Sequence, residues 1–447
     1  MLEQPSGQKR TFQLALAAVA AFCTYFCMYA FRKPFTAATY AGQELFGAEL
    51  KAILVTAQLA GYMASKFIGI KIVSEMKSHY RAVTIVGLIL FAEAALVGFA
   101  YMPTTVKPVM LFFNGLPLGM VFGLVLAYLE GRKQTEALSA TLCASFIISS
   151  GVVKSVGQWL VLQGVSEFQM PMVTGLIFLP PLLISVWLLQ KTPAPVEEDR
   201  QLRSERETMT RDTRRSFVAA YWPGLALFVL VYMALTLIRS LRDDYGLEIW
   251  ESLGVKEKPS IFTTSETIVA VFVTSLAALA IVIRNNLRAM RVTLALMCAG
   301  FGLVLAATLT QSAGYISPLA FMVLCGIGLY IPYVAFHTSL FERLIAASRR
   351  PCNLGFLMYL ADAMGYLAYV GLLVFKPEFK KTGALLSFFR LASISVAILS
   401  LVALLVSVYY FHRVLTNKQP TGTQSHQQEF ATADASALSQ QHVSSQQ

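Results

Sequence analysis

The chain has 447 residues, 56% of them hydrophobic and 14% charged, with a formal net charge of +11 and a mean hydropathy of +0.60. A soluble domain this apolar would expose surface that its few charges cannot cover, whereas a bilayer accepts such surface. The composition therefore specifies an integral membrane protein, and excess Lys and Arg in such proteins collects in cytoplasmic loops, so the charge does not call for nucleic acid.

Lys9 and Arg10 precede an apolar run that is too long for a cleaved signal and lacks a clear small-residue cleavage site, so the run is retained as the first span. About twenty apolar residues at a rise of ~1.5 Å cross a ~30 Å hydrocarbon core. Stretches of that length occur at 13–35, 52–73, 82–101, 108–129, 137–163, 171–190, 218–241, 261–283, 292–311, 317–340, 353–375 and 384–411. The expected fold is an all-α membrane protein of twelve transmembrane helices in two six-helix pseudo-repeats. Residues 1–11 form a cytoplasmic N-terminus, 12–190 and 218–412 form the two bundles, and 191–217, rich in Arg and Glu, form a cytoplasmic linker. Residues 413–447, dominated towards their end by Gln, Ser, Ala and Thr, read as a disordered tail.

With both termini in the cytoplasm, the loops on that side hold most of the basic residues, among them Lys71, Lys77, Arg81, Arg132, Lys133, Arg284, Arg288 and Arg291. The opposite side holds Lys51, Lys107, Arg242, Lys256, Lys258, Lys376, Lys380 and Lys381. The positive-inside rule and the even number of spans agree on this orientation, in a plasma or inner membrane. The six cysteines sit in or beside apolar segments and read as small hydrophobes; Cys23 and Cys27, one turn apart, have no further soft ligand in their segment and make no metal site. No nucleotide-binding or other cofactor motif is present.

In span one, Tyr25, Tyr29 and Arg32 are spaced by four and three and form one polar stripe on a helix. The pattern returns about 207 positions later, where Tyr232 and Arg239 keep the seven-residue separation of Tyr25 and Arg32. The same shift places Glu130 on His337 and Lys154 near Asp362. Other ionisable groups within spans are Lys66 in the second, Glu93 in the third, Glu266 in the eighth and Asp362 in the eleventh. Each costs roughly 2.5–3.5 kcal/mol on insertion scales, so each requires a partner or a task.

Two readings of the arginines stand side by side. In one, Arg32 with Lys33 and Arg239 with Arg242 lie near helix ends and snorkel to headgroups. In the other, paired halves bring their first helices together at the midplane, where carriers of repeated architecture hold their substrate, and two guanidiniums face one cavity. Planar donor forks suit phosphate or carboxylate. Lys66 adds to the positive field, and Tyr25, Tyr29 and Tyr232 offer neutral hydrogen bonds. Asp362, Lys154, Glu266 and His337 are then salt-bridge or proton-coupling candidates, and Glu93 is a protonated or helix-pairing carboxyl.

Twelve spans with a charged central linker resemble the major facilitator superfamily over roughly residues 12–412. Tyr29-Ala30-Phe31-Arg32-Lys33-Pro34-Phe35 and Ser65-Lys66-Phe67 are similar to the organophosphate/phosphate antiporter branch. That resemblance implies a phosphate held by Arg32 and Arg239 with Lys66 beside it. The segment between Gly69 and Arg81 departs from the superfamily's usual Asp-Arg pair, and span five has Ser149, Ser150 and Lys154 where the branch has a histidine.

The expectation is a monomeric secondary transporter that moves a small anionic solute, organic phosphate or phosphate, by alternating access. The alternatives are a proton-coupled symporter of an organic carboxylate or other solute, a membrane-embedded enzyme using the carboxylates and His337, and a receptor-like protein that binds without flux.

Overall fold

The computed structural model describes residues 7–129, 135–192, 211–256, 258–281, 283, 286–348, 352, 354–375 and 384–416. Glu130, the 193–210 stretch of the linker and the tail from 417 lie outside the described residues. Among the described residues, twelve helices are long and apolar enough to cross a membrane.

In the first half these are α1 (Gly7–Met28), α2 (Leu50–Glu75), α3 (Arg81–Tyr101), α4 (Lys107–Leu129), α5 (Thr135–Leu162) and α6 (Met170–Gln190). In the second they are α7 (Arg211–Asp244), α9 (Ser260–Ile281), α10 (Asn286–Ser312), α11 (Pro318–Ala335), α13 (Leu354–Phe375) and α14 (Leu385–Thr416). A short α8 (Gly246–Ser252) follows α7, and α11 passes through a π-helical turn, Phe336–Leu340, into α12 (Phe341–Ser348). A small hairpin, Glu44–Leu45 paired with Ala48–Glu49, precedes α2 and turns at Gly47, whose φ is +75°. The expected spans are recovered, but α7 starts at Arg211 and α14 continues to Thr416. Counting apolar residues finds the hydrocarbon thickness, whereas helical hydrogen bonding continues into the polar flanks.

The packing repeats between halves. In the first, α1 packs on α5 and α6, α2 on α4, and α3 on α4 and α6; in the second, α7 packs on α13 and α14, α9 on α11, and α10 on α11 and α14. Between the halves, α2 packs on α13 and α5 on α9. A shift by six spans exchanges these two contacts, as a two-fold relation between halves requires. Small residues allow the close approaches: a Cβ on Gly61 would stand 2.1 Å from the Phe112 carbonyl oxygen, and one on Gly115 would stand 2.1 Å from that of Gln58. Large apolar side chains such as Leu176, Ile177, Trp187, Val271 and Leu405 point outward, towards the region a bilayer would occupy.

Candidate functional site

The first helix is not one continuous rod to residue 35. The α-helix stops at Met28, a 3-10 turn covers Tyr29–Phe31, and Pro34 opens a second at Pro34–Ala37. Pro34 has no N–H to give to a carbonyl one turn back, so α-helical hydrogen bonding cannot continue through it. The carbonyls released there are taken up by neighbouring helices. Gln58 Nε2 donates to the Arg32 carbonyl at 2.8 Å and to Asn114 Oδ1 at 2.7 Å, while Asn114 Nδ2 donates to the Phe31 carbonyl at 2.9 Å. Arg32 is thus fixed by its backbone, leaving its side chain free for another task.

The ionisable side chains fall into three layers across the membrane. In the middle layer lie Arg32 and Arg239, buried at 6% and 7% exposure. Arg32 lies over the Tyr62 ring with Cζ 3.7 Å from its centroid, and Arg239 over Tyr333 at 4.2 Å. Tyr29 and Tyr366 stand within electrostatic reach of both guanidiniums, so the two arginines share one tyrosine-lined centre. Tyr25 packs edge-on against Tyr29 and is hydrogen-bonded to Tyr62. Among the described residues, no carboxylate forms an ion pair with either arginine, and Nε of each has no hydrogen-bond partner. Neither side chain snorkels.

The inner layer is one helical turn or more closer to the end where α1 and α7 begin. Lys66 Nζ lies 3.1 Å from Asp362 Oδ2, the Tyr232 hydroxyl donates to Asp362 Oδ1, and His337 Nε2 is 3.9 Å from the same oxygen. His337 sits in the π turn, its Nδ1 2.8 Å from the Tyr333 carbonyl. Tyr232, seven residues or about 10 Å before Arg239 on α7, is therefore committed to Asp362. Lys66 is neutralised by the same group, which ties α2 of one half to α13 of the other.

The outer layer contains residues that the sequence does not single out. Lys33 contacts Asp243 at 2.5 Å and Asp244 at 2.6 Å, Lys154 also pairs with Asp243, and Ser150 donates to Asp243 at 2.5 Å. Lys51 pairs with Glu248 and donates to the Thr36 carbonyl at 2.9 Å. Burial raises the Glu248 carboxyl above its ordinary value, with Lys51 opposing. Arg242 is 2.8 Å from Glu266 and donates to the Met322 carbonyl at 2.9 Å, a pair within the second half. Lys154 therefore meets Asp243 and not Asp362: α5 packs on α9 of the second half, whereas α13, which carries Asp362, packs on α2. The outer layer joins the halves through Lys33, Lys51 and Lys154 of the first and Asp243, Asp244 and Glu248 of the second. Lys154 and Glu266 of this layer are salt-bridge candidates from the sequence; the signal for their partners is the acidic pair Asp243-Asp244, with Arg242 before it, at the end of an apolar span.

Comparison with known proteins places this geometry in context. The fold is similar to that of a D-xylose–proton symporter, at 15% identity and a TM-score of 0.58, with 89% of this chain and 97% of that one covered. It is also similar to that of a POT family transporter in complex with a thioalcohol-conjugated peptide, at 12% identity and a TM-score of 0.56, covering 90% and 96%. These likenesses establish a twelve-helix fold of the major facilitator kind. Among curated proteins, none matches the chain. Residues 34–414, a range that begins just after Arg32 and Lys33 and includes Arg239, match a family of unknown function, DUF5690, and the chain belongs to that family.

Proposed function

We propose that the protein is a secondary carrier of a small anion, working by alternating access with both termini in the cytoplasm. One observation carries the reading: two buried guanidiniums, one from each half, share a centre and lack counter-ions among the described residues. The third cation, Lys66, is balanced by Asp362, so the middle layer has a net surplus of two positive charges. A dianion closes that balance; a phosphate monoester near neutral pH is of this kind, as is a dicarboxylate. The run Tyr29–Phe35 and Ser65-Lys66-Phe67, similar to the organophosphate/phosphate branch, favours the phosphate. Exchange between the two sides needs no covalent step, and the carboxylates an enzyme would use are already tied to lysines and Arg242.

The test is a thermal-shift screen of the purified full-length protein against inorganic phosphate, an organic phosphate monoester, a dicarboxylate and a monocarboxylate, because a ligand stabilises the state it binds. The expected order places dianions above the monocarboxylate. Arg32→Lys and Arg239→Lys should each abolish the stabilisation and the flux of labelled anion in proteoliposomes, since an ammonium cannot replace the bidentate fork. Stabilisation by sugars or peptides in place of anions would refute the reading, and a chemically altered anion would point to an enzyme.

A further inference from the structure

Glu93 on α3 is outside all three layers. It is 6% exposed, and neither carboxyl oxygen has a hydrogen-bond partner. Its carboxyl fills a notch cut into α6 by Gly175, where a Cβ would stand 2.2 Å from Oε2 and 3.1 Å from the Phe31 ring. Phe31 is the last residue of the 3-10 turn that ends the first helix, immediately before Arg32. The polar side chain nearest in the fold, Asn114 of α4, has both amide hydrogens committed, to the carbonyls of Phe31 and Ala92. From α6, Thr174 gives its hydroxyl to the Met170 carbonyl. Among the described residues, no charged or titratable side chain from the first helix, α4 or α6 acts electrostatically on the carboxyl.

Asp243, Asp244, Glu266 and Asp362, carboxylates of other spans, have cationic partners. Glu93 has none, and an ionised carboxylate with neither a donor nor a counter-ion costs many kcal/mol in an apolar interior. The group accordingly keeps a proton. Release requires a donor or water at the carboxyl, and the notch admits either only if α6 or the Tyr29–Phe31 turn moves away from it.

We propose that Glu93 is a proton-binding site, loaded in the conformation described here, whose occupancy is linked to the position of the turn that carries Arg32. Binding is simple protonation of one carboxylate oxygen, and release returns that proton to water. The inference stands apart from the identity of the solute.

The test uses purified full-length protein, wild type and Glu93→Gln, with two readouts that need no substrate. Infrared spectroscopy at neutral pH should show the C=O band of a protonated carboxyl in an apolar setting, absent from Glu93→Gln. Hydrogen exchange of residues 29–37, corrected for the intrinsic pH dependence, should accelerate several-fold as the pH is raised towards 9 in the wild type and not in the variant. Gly175→Ala, which crowds the notch, should shift or remove the band even if Glu93→Gln folds poorly. A band unchanged in both variants, or an equal pH response of the turn in wild type and Glu93→Gln, would overturn the proposal.

Discussion

Asp362→Asn isolates the charge that ties the two halves together at the inner layer. The amide keeps the shape and an acceptor for the Tyr232 hydroxyl but removes the counter-charge of Lys66, whose Nζ is 3.1 Å away. Lys66 is 4% exposed, and its remaining neighbours are the rings of Tyr62, Tyr359 and Phe122 at 5.2, 5.6 and 5.7 Å. Those contacts exist already, so they offset nothing new. Removing one partner of a buried pair costs about 3–5 kcal/mol. A ceiling near 5 kcal/mol follows at pH 7, because an ordinary lysine can shed its proton at ~1.36 kcal/mol per unit below its value of ~10.4. The double variant Lys66→Met with Asp362→Asn leaves no orphaned charge and should recover most of the loss. The assay is a double-mutant cycle on reversible unfolding in detergent micelles, with an expected coupling of about 2–3 kcal/mol. Additive penalties, with coupling below about 0.5 kcal/mol, would show that the two groups do not sense each other's charge.

Other consequences are accessible to the same material. Tyr62→Ala removes the ring under Arg32 and should weaken anion binding by about 1–2 kcal/mol, roughly five- to thirty-fold, whereas Tyr62→Phe should retain most of it; calorimetric titration with inorganic phosphate reads both. Gly115→Ala pushes a methyl to 2.1 Å from the Gln58 carbonyl oxygen and should destabilise by about 1–3 kcal/mol, while Gly87→Ala, with nothing within 4 Å, should be neutral or slightly stabilising in the same thermal assay. Asp243→Asn removes the negative charge that Lys33 and Lys154 share. It should raise the labelling rate of a Ser149→Cys probe by an impermeant thiol reagent added opposite the termini, with native cysteines replaced. Unchanged labelling would show that the outer layer does not hold that side closed.

Hydropathy gave the twelve spans and the order of the halves because each span must be apolar along its own length, a local property. The recurrence of tyrosine and arginine seven apart pointed to Arg32 and Arg239, since one helix face repeats at that interval. Partner choice was another matter. The sequence offered Asp362, Lys154, Glu266 and His337 as salt-bridge or coupling candidates without fixing their partners; Lys154 meets Asp243, Lys66 meets Asp362, and Glu266 meets Arg242. Each of those pairs joins residues from different helices, and the axial level at which two helices face each other is set by packing at glycines and by crossing angles.

The sequence by itself determined the membrane, the span count, the repeat and the recurrence of an arginine seven residues after a tyrosine in the leading span of each half. Only the tertiary structure decided that the first helix breaks at Met28, that Gln58 and Asn114 hold the freed carbonyls, and that Asp362 cancels Lys66 while Arg32 and Arg239 stay uncancelled. Composition fixes how many charges a chain takes into the bilayer. Which of them neutralise one another depends on distances of a few ångströms between segments far apart in sequence, and those distances exist only once the halves have packed.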